Sequence, residues 1–91
     1  MDTAQTRVAV ITIIVEQDTS TDTLNQLLSD AKDYIIGRMG IPYREKGINI
    51  ISVAIDAPQD VISALSGKLG ALPGISSKTA YSNVKTKAGS P

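Results

Sequence analysis

Residues 7–16 read RVAVITIIVE, and this apolar run largely decides the fold. Val and Ile dominate it, and such β-branched residues are enriched in strands. The run is far shorter than the roughly 20 residues that a membrane-spanning helix needs. A second run of the same kind, INIISVAID, occupies residues 48–56. Together the two runs predict the central strands of one sheet.

Two amphipathic helices are predicted between the strands. Apolar residues recur at helical spacing over residues 21–34, where Ser20 or Thr21 is the expected N-cap. A second helix is expected from Pro58, as its first helical residue, to Gly70, as its C-terminal cap. Each helix carries one apolar stripe, which is typical of helices that pack on one face of a sheet.

Two further segments predict strands at the sheet edges. Residues 35–43 contain Pro42, which cannot donate to a central ladder, and residues 44–47 (REKG) predict a charged hairpin tip. Residues 75–82, ISSKTAYS, are mostly polar. The resulting order β-α-β-β-α-β predicts an α+β, ferredoxin-like sandwich. Its antiparallel sheet has the strand order 4-1-3-2, and both helices lie on one face.

The chain of 91 residues is long enough for one domain. We expect a single domain over residues 7–82, a flexible N-terminus over residues 1–6 and a flexible tail over residues 83–91. The polar N-terminus lacks the charged start and the cleavage site of a signal peptide, so we predict a cytoplasmic protein.

The composition excludes several classes of chemistry. There is no Cys and no His, which removes thiol nucleophiles, disulfides, imidazole catalysis and the usual zinc or iron–sulfur ligands. No carboxylate cluster resembles a calcium loop. We therefore predict no catalytic residue, no metal site and no cofactor, and we expect the protein not to be an enzyme. A small enzyme of the dimeric ferredoxin-like-barrel type remains an alternative.

The charge balance bears on possible partners. Nine Lys and Arg residues offset nine Asp and Glu residues. A domain without net charge has no overall field that attracts nucleic acid or an anionic membrane. We therefore predict no membrane partner and no direct nucleic-acid partner. A regulator that binds DNA directly remains a second alternative.

The face of the sheet that the helices cannot cover predicts self-association. Val8, Val10 and Ile14 in the first strand lie on this face, as do Ile48 and Ile50 in the third. An apolar sheet face of several hundred Å² is larger than a monomer usually exposes. We therefore predict a homo-oligomer, a dimer or a tetramer, with these five residues in its interface.

The segment around residues 37–47 is the best candidate for a binding site. Its glycines suit a close backbone approach, and its cations could hold a carboxylate or a phosphate. The predicted residues for a small ligand or a partner protein are Arg38, Met39, Gly40, Tyr43 and Arg44. The alternative is a bulged edge strand with a solvated tip.

The tripeptide Ser66-Gly67-Lys68 is similar to the end of a phosphate-binding loop, but the full pattern is missing. It also falls inside the second predicted helix, whereas a phosphate-binding loop precedes its helix. We expect Gly67 and Gly70 to allow close packing of that helix instead.

Three motifs carry a resemblance to a known family. They are YIIGRMGIPYREKGI (residues 34–48), ISALSGKLG (residues 62–70) and LPG (residues 72–74). With them, the chain resembles a small bacterial family named as regulators of the iron-only hydrogenase system. The resemblance implies an ACT-like fold, similar to the ligand-binding domain of the nickel-responsive repressor, and a regulatory role. The loop at residues 17–20 lacks the glycine typical of ACT effector sites.

Overall fold

The computed structural model describes residues 5–83. Most of the two predicted flexible ends, residues 1–4 and 84–91, lies outside this range. The strands are β1 (Arg7–Glu16), β2 (Ile35–Tyr43), β3 (Ile48–Ala57) and β4 (Ile75–Tyr81). The helices are α1 (Asp22–Asp30) and α2 (Gln59–Gly70), and short 3-10 turns follow α1 at Lys32–Tyr34 and β2 at Arg44–Lys46.

The four strands form one antiparallel sheet in the order β2-β3-β1-β4. This is the predicted order 4-1-3-2 read from the other edge, so the ferredoxin-like fold is confirmed. β1 and β3 pair along their whole length, from Arg7 opposite Ala57 to Glu16 opposite Ile48. The two most apolar strands therefore occupy the centre of the sheet.

The core lies between the helices and one face of the sheet. Alternate residues of the central strands point into it, as the period of two requires. From β1 and β3 the buried residues are Ala9, Ile11, Ile13, Val15, Ile51, Val53, Ile55 and Ala57. The helices add Leu24, Leu28, Ile62, Leu65 and Leu69. Among residues 5–83 no polar or charged side chain is fully buried.

Helix α1 is shorter than the predicted helix over residues 21–34, because it ends at Asp30. The N–H of Tyr34 donates to the carbonyl of Ala31 at 2.9 Å, which tightens the chain into a 3-10 turn before β2. Thr21 is the N-cap residue, but its side chain makes no capping hydrogen bond.

The ends of α2 also differ from the prediction. Pro58 is the N-cap and not the first helical residue, and Gly70 is the last helical residue, followed by the C-cap Ala71. The expected close packing at Gly67 and Gly70 is wrong, because a Cβ atom at either position would meet no other atom within 4 Å. Both glycines lie on the exposed side of α2, away from its buried stripe.

Edge strand β2 is irregular in one place. Its pairing with β3 shifts between Ile35 and Gly37, which marks a β-bulge at Ile36. Pro42 lies on this edge strand, where its missing N–H costs no central ladder bond. The hairpin to β3 closes through Gly47, whose φ of 65° is left-handed.

Replacing Gly47 by alanine should lower the free energy of unfolding by about 1–2 kcal/mol, the cost of a left-handed backbone for an L-residue. The added Cβ would also lie 2.6 Å from Oε1 of Gln17, which must then move. Urea unfolding would measure the loss. The matched control is Gly37→Ala, where the new Cβ meets nothing within 4 Å, and its effect should stay within about 0.5 kcal/mol. Equal effects at the two glycines would contradict this account of the hairpin.

Candidate functional site

The face of the sheet opposite the helices remains uncovered by the described residues, and we call it the open face. All five predicted interface residues lie on it, namely Val8, Val10, Ile14, Ile48 and Ile50. Strand β2 adds Met39, Ile41 and Tyr43, which lie opposite Ser52, Ile50 and Ile48. Met39 is 57% exposed and Ile14 is 37% exposed. The open face is thus an apolar surface that runs across three strands.

Polar groups on the open face occupy defined positions. One row across the sheet holds Ser52, Thr12 and Lys78. Asp56 lies at the end of β3, opposite Val8, and is half-buried. Its Oδ1 atom is shielded from solvent and has no hydrogen-bond partner. The open face therefore carries one unsatisfied carboxylate oxygen among apolar neighbours.

The predicted binding residues are divided between the two sides of β2. Met39 and Tyr43 lie on the open face. Arg38 and Gly40 lie opposite Val53 and Ile51, which point toward the helices. The division follows from the alternation of side chains along a strand, and the bulge at Ile36 decides that Arg38 and Gly40 are the pair on the helix side. The structure does not bring the five residues together in one site.

Arg38 and Gly40 line a groove between β2 and α1, which we call the Arg38 groove. Its volume is about 260 Å³. The apolar wall includes Val15, Leu24 and Ile51, and the polar residues include Thr21, Asn25 and Asn49. Nη2 of Arg38 donates a long hydrogen bond of 3.5 Å to Oδ1 of Asn25. This bond leaves most of the guanidinium donors available.

The chemistry of the Arg38 groove suits a small anion with an apolar part. A guanidinium presents a planar fork of donors that matches a carboxylate or a phosphate. The amide groups of Asn25 and Asn49 add further donors and acceptors. Gly40 keeps the groove open, since a Cβ atom there would meet no other atom within 4 Å.

Arg44 lies in a different depression, at the hairpin tip. This depression of about 410 Å³ is also lined by Gln17, Gly47 and Asn49. Arg44 is exposed and belongs to the 3-10 turn after β2. The structure thus separates the two arginines that the sequence placed in one segment.

Sequence reasoning missed Asn25 and Asn49, whereas it marked Thr21 as a candidate N-cap. Asn25 is an exposed polar residue of α1, and its distance of 13 residues from Arg38 hides the contact. Only the packing of α1 beside β2 brings the two side chains to one groove. No sequence motif marks Asn25 or Asn49.

A second polar cluster joins the beginnings of β1 and α2 to the end of β4. Nη1 of Arg7 donates to Oε1 of Gln59 at 2.7 Å, and Nε2 of Gln59 donates to the Tyr81 hydroxyl at 2.9 Å. The Arg7 guanidinium also lies 4.4 Å from the centre of the Tyr81 ring. Because these polar groups hydrogen-bond to one another, we interpret the cluster as a structural feature that links β1, α2 and β4.

Residues 5–83 contain no group of three or more acidic residues arranged to hold a metal ion. In the same part of the chain, neither helix combines the length and the hydropathy that crossing a membrane requires.

Comparison with known proteins gives the family. Residues 7–79 match the TM1266-like family, whose description reads "Iron-only hydrogenase system regulator, putative". The chain belongs to this family. The solved structure of the uncharacterized protein TM1266 from Thermotoga maritima is 36% identical, with a TM-score of 0.79. That match covers 84% of this chain and 96% of TM1266. The family expected from the sequence motifs is thereby confirmed.

A more distant structure shares only the fold with this TM1266-like chain. It is a formyltetrahydrofolate deformylase from Pseudomonas putida KT2440, with 18% identity and a TM-score of 0.61. The match covers 85% of this chain and 29% of the deformylase. No functionally curated protein has a significantly similar sequence.

Proposed function

We propose that this TM1266-like protein is a regulatory binding module of the iron-only hydrogenase system. It associates with copies of itself through the open face and senses a small anionic ligand in the Arg38 groove. The family description supports the regulatory role. The proposals of self-association and ligand sensing rest on the position of β2. Alternate residues of this strand line the Arg38 groove and the open face.

The double role of β2 supplies a route for regulation. Arg38 and Gly40 alternate along the strand with Met39 and Ile41, so a displacement at the groove reaches the open face within one residue. Within the described part of the chain, β2 is an edge strand that pairs with β3 alone. A ligand shifts an equilibrium only if it binds one state better than the other. In this proposal the favoured state is the one whose β2 position suits self-association.

The exposed apolar area supports self-association as the output. A monomer that left this surface in water would forgo a gain of about 25 cal/mol per Å². Several hundred Å² of such surface would therefore contribute several kcal/mol before the entropy of association is subtracted.

Replacing Arg38 by alanine should abolish ligand binding without unfolding the protein. Arg38 is exposed, so its loss opens no cavity in the core. Native mass spectrometry of protein purified gently from its own host would detect the ligand as extra mass on the wild type. We expect Arg38→Ala to lose this mass and Arg44→Ala, which removes the same charge outside the Arg38 groove, to keep it.

A second variant tests the groove without removing a charge. Gly40→Val should also lose the bound mass, because its side chain would occupy the groove from a Cβ position that meets no other atom within 4 Å. Circular dichroism would show that the variants remain folded. A wild type without bound mass, or an Arg38→Ala variant that keeps it, would contradict ligand sensing in this groove.

A further inference from the structure

We infer that the occupant of the open face is a second copy of this chain, packed face to face, and that its register is set by two reciprocal ion pairs between Asp56 and the partner's Lys78. This inference rests on the proposed self-association and adds the residues that orient it.

Asp56 lacks a partner at a position where it needs one. Its Oδ1 atom is shielded from solvent and accepts no hydrogen bond. A buried polar atom without a partner destabilises a protein, and the penalty is larger when the group is charged. Asp56 is half-buried beside Val8 on the open face. A donor that arrives over this face would satisfy the carboxylate once the Asp56 side chain turns outward to another χ1 rotamer, because Oδ1 itself is shielded as it stands.

Lys78 is the cation of the same face. It lies on β4 opposite Thr12, and its side chain is exposed. No salt bridge joins it to another residue of the described range 5–83. Lys78 therefore has an ammonium group free to reach a carboxylate above the sheet.

Asp56 and Lys78 of one chain are too far apart to pair with each other. Asp56 belongs to β3 and lies opposite Val8 of β1. Lys78 belongs to β4, on the other side of β1, and lies opposite Thr12. Strand spacing and rise per residue place their backbones about 17 Å apart. Neither side chain has an ion-pair partner among residues 5–83, so in this proposal each is paired by the other copy.

A two-fold axis solves this arrangement. Consider a two-fold axis that lies between the two sheets, perpendicular to the line from Asp56 to Lys78. This axis places Asp56 opposite the partner's Lys78, and Lys78 opposite the partner's Asp56. Because the interface is isologous, one such contact is always accompanied by a second, identical one. Sheets that pack face to face lie about 10 Å apart, a gap that lysine and aspartate side chains span together.

The charges favour a second copy over a different partner. The open face carries both signs, with the Lys78 ammonium and the carboxylates of Asp56 and Glu16, so it can pair with a second copy of itself. A nucleic acid or an anionic membrane requires a surface of one sign. The apolar patch of several hundred Å² per chain, counted on two chains, also approaches the roughly 1,000 Å² that a specific interface requires.

A double-mutant cycle tests the ion pairs. Sedimentation equilibrium would give the dissociation constants of the wild type, Asp56→Asn, Lys78→Gln and the double variant. Each single change should raise the dissociation constant at least about tenfold, because it leaves one charge of each of the two pairs without its partner. The double variant should bind no more weakly than the weaker single variant. The exchange of both charges, Asp56→Lys with Lys78→Asp, should restore association that either reversal alone abolishes.

Matched controls remove the same charges elsewhere. Asp33→Asn and Lys32→Gln lie in the exposed 3-10 turn after α1 and should leave the dissociation constant unchanged. Circular dichroism would report folding. If the Asp56 variants do not fold, Lys78→Glu alone must still weaken association, since it changes only an exposed edge residue.

The outcomes separate this inference from the proposed function. A wild type that stays monomeric would overturn both. If Ile14→Asp dissociates the assembly but no change at Asp56 or Lys78 alters the dissociation constant, only the reciprocal ion pairs are overturned.

Discussion

Replacing Ile14 by aspartate should convert the self-associated protein into a folded monomer. Ile14 lies on central strand β1, opposite Ile50, and its side chain points out from the open face. An unpaired charge there would be buried in the interface, at a cost of several kcal/mol. We therefore expect the dissociation constant to rise at least about 100-fold, since each 1.4 kcal/mol is a factor of ten. Sedimentation velocity would measure the change.

The monomer should keep its fold, because the Ile14 side chain takes no part in the core. The control is Ser29→Asp on the exposed side of α1, which adds the same charge away from the sheet. An assembly that survives Ile14→Asp but dissociates with Ser29→Asp would place the interface on the helices and contradict the proposal.

Replacing Ile11 by alanine should lower the free energy of unfolding by about 3–4 kcal/mol, within the range for buried Ile and Leu truncations. Ile11 is 0% exposed and lies on β1, between β3 and β4 and beneath the helices. The loss combines the buried methyl and methylene groups with the cavity left behind. It is a large part of the 5–15 kcal/mol that stabilises a typical domain.

Urea unfolding at one fixed protein concentration would measure this loss, because self-association is linked to unfolding. The matched control is Ile36→Ala, which removes the same atoms from a side chain that is 63% exposed. Its effect should stay within about 0.5 kcal/mol. Similar losses at the two positions would contradict the assignment of the core face.

The sheet was predictable from the sequence because the central strands are distinctive. The β-branched runs of β1 and β3, and Pro42 at an edge, left one strand order consistent with right-handed crossovers. The helix ends were less predictable. Thr21 and Gly70 have the residue types of caps, but Thr21 makes no side-chain capping bond and Gly70 remains helical. Tertiary packing decides such positions.

The arrangement of the candidate site was not predictable in the same way. The period of two in β2 assigns faces only when the register is known, and the bulge at Ile36 shifts it. Without that bulge, Arg38 would lie on the open face and Met39 beneath the helices. The contact of Arg38 with Asn25 depends in turn on how α1 packs, which local sequence does not encode.

The most direct test of the account is the native mass of the unmodified protein. One chain has a mass of 9.6 kDa. Native mass spectrometry over a range of concentrations should show two or four chains, with additional mass from a bound ligand. A bare mass of 9.6 kDa at every concentration would contradict self-association through the open face and ligand sensing at the Arg38 groove.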